Sequence, residues 1–466
     1  MIAFPFLLRR LKELRLVDEA QEATLVRDGI VTLADLELAI AEDRPVATAE
    51  LRRAADVFAH ELRAFSLGRA CDVLEPLLTA MSRCPDVQAV EPSGPVRRAE
   101  PLVHSLVVVG RAAAPQRAVD AVASLPFISD IVYRTSRRVI MIVEGHEIDV
   151  RFATPDEHGT LLFTTTGPAA HVAEVQKRRG VRLSTSETEV YTHAGLSYLP
   201  PHVRHDAGAL DAARHHRLPR LVQREDVRGD LHMHTTFSDG RDPLRRMIMA
   251  AHALGYEYIA ITDHSEHAAA SRTITPDGLA RQRDEIDALR DDADGMTILH
   301  GLEVDILPNG SLDCPDRVLK SLDIVLASLH DAAGHTRKRL TERCLAAIRH
   351  PLVSAITHPG NQLVGHRPAY DLDYDAVYAA AAETGTALEV DGAPSHLDLD
   401  GDRARAAVQA GVTLVIDSDC HRAQWLDRQM RFGVGTARRG WVEPRHVLNT
   451  RPIGEVLAFI ARKRGL

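Results

Sequence analysis

The chain has 466 residues, 45% of them hydrophobic and 26% charged, with a formal net charge of −9. That length can bury more than one core, and the acidic balance excludes a protein that coats nucleic acid over its whole surface. Cysteines at 71, 84, 314, 344 and 420 form no CxxC pair, and the short apolar start is broken at once by Arg9, Arg10 and Lys12, so a cytoplasmic protein with reduced thiols and no signal peptide or membrane span is expected.

Residues 1–88 read as helical. Leu7, Leu8, Leu11 and Leu14 recur at helical spacing, as do Leu33, Leu36 and Ile40, and longer helices are expected from Thr48 to Phe65 and from Gly68 to Met81. Between 89 and 200 the period shortens. Ser105–Val109, Ile128–Tyr133, Val139–Val143 and Glu147–Phe152 predict strands, with helices at Pro115–Ala123 and Pro168–Arg179. An α+β domain on a mostly antiparallel sheet is expected there. Prolines and charges mark 201–228 as a linker carrying one short helix at Gly208–His215.

From 229 to 466 strands and helices alternate. Strands are predicted at Tyr258–Thr262, Thr297–Ile306, Ile324–Ser328, Ala355–His358, Ala387–Val390 and Thr413–Ser418. Helices are predicted at Leu244–Leu254, Leu279–Leu289, Lys338–Ala347, Tyr374–Thr384 and Gly401–Ala410. About seven βα units define an α/β fold, a parallel (β/α)-type barrel with its chemistry at the C-terminal strand ends.

The stretch Asp230–Gly240 sets His232 and His234 two apart, so that on a strand both imidazoles point to one side. The Asp239-Gly240 turn brings a carboxylate back toward them. Later strands repeat the pattern: His264 follows one, Glu303 lies within the next, His330 and His358 close two more, and Asp419 and His421 follow the last. One histidine at a strand end is ordinarily a satisfied cap or core residue; strand after strand ending this way is a constellation. Such a set exceeds the needs of one tetrahedral ion and fits two or three divalent ions (zinc, manganese or iron), with Glu303 as the natural bridge. Clustered ions activate water and clamp the oxygens of an in-line displacement. Hydrolysis of a phosphate ester by metal-activated water, with Glu303 and Asp419 at the catalytic centre, is therefore expected.

These residues, in this order, resemble the polymerase and histidinol phosphatase (PHP) family of metal-dependent phosphoesterases, from about Gly229 to the end of the chain. The resemblance implies one ion on His232, His234, Glu303 and Asp419, a second on Glu303, His330 and His358, and a third on Asp239, His264 and His421. Upstream, Gly94-Pro95-Val96-Arg97-Arg98, Asp149-Val150-Arg151, Gly167–His171, Leu199–Arg204 and Leu218-Pro219 resemble the palm and following region of bacterial family X DNA polymerases. By the same resemblance 89–200 is a palm-like nucleotidyltransferase domain, and 1–88 matches the end of that polymerase's helical region (fingers and helix-hairpin-helix part).

The chain departs from the family in two places. Where the polymerase carries an Asp-x-Asp pair it reads Ser105-Leu106-Val107, leaving only Asp149 as a counterpart to the third carboxylate. One carboxylate of three cannot fix two ions on a triphosphate, so a palm without polymerase activity is expected. After His358-Pro359 the usual Arg is replaced by Gly360-Asn361-Gln362, and an Asn and an Arg further on are replaced by Asp391 and His396. Arg367, Arg272, Arg438 and Arg439 remain as candidate phosphate contacts. Three functions follow: a phosphoesterase acting on nucleic-acid 3′ ends (exonuclease or 3′-phosphatase), a small-molecule phosphomonoesterase of histidinol phosphatase type, or a DNA- or partner-binding module with a vestigial palm.

Overall fold

The computed structural model describes residues 4–466 except 63, 181, 269, 291, 292 and 294. The chain divides into two compact units, with the boundary between Leu218 and Pro219, inside the segment 201–228.

In the first unit, helices Phe6–Glu13, Glu19–Arg27, Leu33–Ala41 and Ala49–Glu61 gather Leu7, Leu11, Leu36 and Phe58 into a cluster that also takes in Val132 and Ile140 of the sheet. The helix expected to reach Phe65 stops at Glu61, and Phe65–Ser66 instead pair with Leu102–Val103. Strands β1 (Ala89–Pro92), β2 (Leu106–Arg111), β3 (Asp130–Arg134), β4 (Arg138–Val143) and β5 (His146–Ala153) form a sheet of order β1-β2-β5-β4-β3. It is antiparallel except for β2 and β5, which run parallel with Val107 opposite Asp149. Helix His158–Thr166, ending in three threonines, has no clear apolar period and escapes the sequence reading.

The second unit holds seven parallel strands in sequence order: β6 (Gly229–Asp230), β7 (Tyr258–Ile261), β8 (Thr297–Asp305), β9 (Ile324–Ser328), β10 (Ala355–Thr357), β11 (Ala387–Asp391) and β12 (Leu414–Asp417). A parallel bridge between Met233 and Cys420 links the two edges, so the sheet is nearly closed into a barrel. The first strand is shorter than its sequence suggested. Its ladder ends at Asp230, and His232 and His234 lie beyond it on extended chain held by that bridge.

Alternation along the strands creates two cores. Ile259, Val325, Ile356, Leu388 and Ile416 pack outward under the surrounding helices. Tyr258, Leu299, Leu326, Ala355, Ala387 and Val415 fill the interior, joined by Val456, Phe459 and Ile460 of the C-terminal helix Ile453–Arg464. Further along the strands the interior-facing positions turn polar: Ser328, Thr357, Glu389 and Asp417 two residues on, and Glu303 four residues past Leu299. The polar layer at the C-terminal strand ends is therefore written into the strands themselves. Among the described residues no helix is long and apolar enough to cross a membrane.

Candidate metal centre

Glu303 stands at the middle of that polar layer, fully buried. Its Oε2 lies 2.8 Å from His264 Nδ1, 3.5 Å from His232 Nε2 and 3.6 Å from His234 Nε2. Its Oε1 lies 3.1 Å from His358 Nε2 and 3.4 Å from His330 Nε2, and accepts hydrogen bonds from Ser328 and Thr357. One carboxylate thus faces five imidazoles from successive strand ends.

Around it the side chains sort into overlapping groups whose donor atoms converge. His232, His234 and Asp419 form one, His264, Glu303 and His330 a second, and His234, Asp239, His264 and His421 a third. All nine residues singled out from the sequence meet at this rim. The groupings differ from those the resemblance implied: His264 takes the place of His358 beside Glu303 and His330 while also reaching Asp239, Glu303 falls outside the first group, and His234 belongs to two groups. A fourth group, Asp391, His396 and Asp419, adjoins the first.

Local backbone aims these groups. Gly240 is required because a Cβ there would lie 2.6 Å from the amide and the carbonyl of Thr235, so the turn carrying Asp239 can close against the histidine segment. His358 and Asp419 sit at φ of 26° and 48°, in the left-handed region that side chains seldom adopt. Such strain persists where the surroundings over-determine it, and it clusters at functional sites. Buried Asp263 ties the histidine segment down by accepting from the Thr235 and Ser238 amides at 2.8 and 3.0 Å and from Gln282 at 2.5 Å.

Two carboxylates that the sequence reading passed over orient ligand candidates from behind. Glu389 Oε1 lies 2.7 Å from His232 Nδ1, and its Oε2 accepts the His358 amide at 2.6 Å. Asp305 Oδ1 lies 2.5 Å from His330 Nδ1. Each holds one ring nitrogen and leaves the other facing Glu303, which is how metal-ligating histidines are commonly fixed. The available signal was a carboxylate inside an apolar strand, at Glu389 in Ala-Leu-Glu-Val-Asp and at Asp305 two residues past Glu303.

The electrostatics express a demand for positive charge. Burial pushes the Glu303 carboxyl up, yet His264, His232 and His330 together hold it well below the usual range. Burial lowers His330, but Glu303 and Asp305 raise it to about 10; Asp239 and Asp419 similarly carry His421 to about 9. His234 goes the other way, to about 3, driven by burial and by His421 and His264, which favours the neutral imidazole a metal accepts. Asp239 Oδ1, His264 Nδ1, Glu303 Oε2 and Asp419 Oδ1 are buried and make no well-directed hydrogen bond, although His264 Nδ1 and Glu303 Oε2 stand 2.8 Å apart. Buried polar atoms are ordinarily satisfied, and nitrogen and oxygen donors converging unpaired fit divalent ions.

The candidate phosphate contacts separate. Arg272 donates to the Gly240 carbonyl at 3.0 Å, beside Asp239. Arg367 donates to the Asn361 carbonyl at 2.6 Å and lies over the Tyr370 ring. Arg438 is a correction. It sits in the last turn of helix Leu426–Arg439, which the sequence reading did not anticipate, and donates to the Val222 carbonyl in the segment leading into β6, not at the rim.

In the first unit the lone palm-like carboxylate is fully engaged. Asp149 accepts from Arg138 Nε and Nη2 at 2.8 and 2.9 Å and from Arg151 Nε and Nη2 at 2.9 and 2.6 Å. Asp35, from the third helix, takes the same two guanidiniums at 2.8 and 2.7 Å. Burial opposes its charge, but Arg151 and Arg138 hold its carboxyl far below the ordinary value.

A family model described as PHP domain matches residues 230–389. The second unit is thus a PHP-type metal-dependent phosphoester hydrolase. A DNA polymerase/3′-5′ exonuclease PolX of Bacillus subtilis (strain 168) is 33% identical over 419 residues, spanning 85% of this chain and 73% of the relative. The chain therefore belongs to the bacterial PolX family, and its similarity runs through both units. A probable phosphatase of Thermoanaerobacter sp. (strain X514) is 28% identical over 50% of this chain and 95% of its own length. A solved histidinol phosphate phosphatase of Lactococcus lactis, complexed with zinc, L-histidinol and phosphate, aligns at TM-score 0.37 and 18% identity, over 46% of this chain and 95% of that one.

Proposed function

We propose that this protein hydrolyses phosphate esters at nucleic-acid 3′ ends, as a 3′-5′ exonuclease or 3′-phosphatase, and that its palm-like unit does not polymerise. The observation that carries the reading is Glu303 facing five imidazoles, flanked by Asp419 and Asp239, in one buried layer. His232, His234, Glu303 and Asp419 would hold one ion, Glu303, His330 and His358 a second, and Asp239, His264 and His421 a third. Divalent ions bound there supply hydroxide near neutral pH and neutralise charge on the phosphate oxygens. The chain's own part is to fix ligand geometry, with Glu389 and Asp305 setting the tautomers of His232 and His330. Arg272, bonded to the turn beside Asp239, and Arg367, in the loop after His358, would meet a phosphate.

The domain reading accompanies this proposal: a helical region 1–88, a degenerate palm 89–200, a connecting segment 201–228 and the PHP domain 229–466. Loss of polymerase activity is supported by Val107 standing opposite Asp149, and by Asp149 being held by two arginines. Two magnesium ions need acidic ligands on both strands, and a carboxylate in two ion pairs is not available to either.

A second reading, a small-molecule phosphomonoesterase, is favoured by Asp391 and His396 beside Asp419 at the rim: burial pushes His396 down to about 4, so the pair brings no cation to meet a polyanion. The experiment separates the two. The manganese-loaded protein is incubated with a 5′-labelled oligonucleotide and, separately, with histidinol phosphate and an aryl phosphate. A ladder of shortened products is expected; turnover of monoesters alone would give the second reading its place. Activity that survives His234→Ala would remove the metal mechanism, and incorporation of labelled nucleotide, lost on Asp149→Ala, would overturn the inert palm.

A further inference from the structure

Beside the nine ligand candidates, the rim gathers two donors that no ion of the proposed cluster uses. Asp391 ends β11, and His396 lies in the loop that follows it. Both converge with Asp419, which follows the neighbouring strand β12, and the three donor atoms lie within 4.8 Å of one another. Asp391 is fully buried. Its Oδ1 accepts the Ala393 amide at 2.5 Å, whereas its Oδ2 is buried with no hydrogen-bond partner. Buried carboxylate oxygens are ordinarily satisfied, so this one points to a partner that the protein itself does not supply. Two carboxylates sharing a buried space also repel each other unless a proton or a cation stands between them.

His396 is held as a ligand is held. Its Nδ1 lies 2.8 Å from the Gln362 carbonyl, which can only accept, so Nδ1 carries the proton and Nε2 is left for a metal. Its ring stacks on that of His358, with centroids 5.2 Å apart. The loop is pinned at both ends. Gln362 Nε2 donates to the His396 and Leu397 carbonyls at 2.8 and 2.9 Å, and the Asp391 amide donates to the Asp398 carbonyl at 2.7 Å. Donors fixed in this way pay little ordering entropy when an ion arrives.

We propose that Asp391, His396 and Asp419 hold a further divalent ion of the zinc or manganese kind, with Asp419 bridging it to the ion on His232 and His234. The proposal deepens the reading of the rim as a metal cluster and rests on it. One imidazole nitrogen and two carboxylate oxygens are a donor set that such ions accept, and a small closure brings all three to the usual distances of about 2.0–2.2 Å. Three protein ligands leave a coordination position open. His396 is only partly buried, so a water or a phosphate oxygen can reach that position. Asp391 and His396 bring no cation of their own to this side of the rim, and the ion would supply one.

The test uses the full-length protein, stripped with chelator and reloaded with manganese alone. Anomalous X-ray scattering at the manganese edge locates the ions in crystals, and mass spectrometry of the dialysed protein counts them in solution. Wild type is expected to show a peak between Asp391, His396 and Asp419, in addition to those around Glu303. Asp391→Asn/His396→Phe keeps the size of both side chains but removes a charge and a ligand. It should lose that peak and one ion per chain while retaining the peaks around Glu303, which also reports correct folding. His396→Phe alone should bind the same ion more than about 100-fold more weakly, beyond the effect of an outer partner. Peaks around Glu303 with none at Asp391, or equal ion counts in wild type and the double variant, would overturn the further ion and leave the cluster standing: a shared proton then joins the two carboxylates. A peak at Asp391 with none around Glu303 would support this site and remove the cluster reading instead.

Discussion

Glu389→Gln isolates what an orienting carboxylate contributes to the metal centre. Glu389 is fully buried and meets two donors, His232 Nδ1 at 2.7 Å and the His358 amide at 2.6 Å. Glutamine has the same shape but only one acceptor oxygen. Its amide nitrogen must therefore confront one of the two donors, and the remaining bond loses its ionic character. Loss of such outer partners lowers metal affinity by about 10- to 100-fold, or about 1.4 to 2.7 kcal/mol. Because His232 and His358 are both disturbed, the upper part of that range is expected. The assay is manganese activation of chelator-stripped protein, read by aryl phosphate turnover, together with mass-spectrometric counting of bound ions. The activation curve should move to higher manganese, and saturating metal should restore most of the rate. A midpoint within twofold of wild type would refute the orienting role, as would a diminished rate at unchanged affinity.

Glu303→Gln removes the carboxylate shared by five imidazoles, so both bound metal and turnover should fall by more than about 100-fold, beyond the effect of any outer partner. Asp149→Asn keeps one acceptor oxygen but removes the charge, so that Arg138 and Arg151 share the carboxylate of Asp35, and urea unfolding followed by circular dichroism should show the first unit destabilised by about 3 kcal/mol. The third expectation concerns pH. His171, buried and bonded to the Tyr191 hydroxyl, is pushed down to about 3 by burial and by Arg204 and Arg98. It is neutral when folded but gains a proton when unfolded below about pH 6.5. Its stabilisation is complete above that pH and is lost as pH falls toward 3, by about 1.4 kcal/mol per unit. Between pH 7.5 and 5 wild type should lose roughly 2 kcal/mol more than His171→Gln, and equal losses would contradict this.

What the sequence made legible follows from how far each interaction reaches along the chain. The rim was readable because His264, His330, His358, Asp419 and His421 each follow or close an apolar run, a local pattern repeated strand by strand. Glu389 and Asp305 carried the same signal in stronger form, a charge inside an apolar strand, but their partners His232 and His358, and His330, lie on other strands. Helix Leu426–Arg439 was hidden because its core face is partly glycine. A Cβ on Gly433 would come within 2.8 Å of the Ile416 side chain, so close packing against the strands demands a residue poorly suited to a helix. Missing that helix is what misplaced Arg438. The neutralisation of Asp149 was unreadable for the same reason of reach, since Asp35 and Arg138 come from separate elements. The absence of an Asp-x-Asp pair predicted an inert palm from residues that are missing. Residues that are present support the same proposal: two arginines, shared with Asp35 of a separate helix, already engage Asp149.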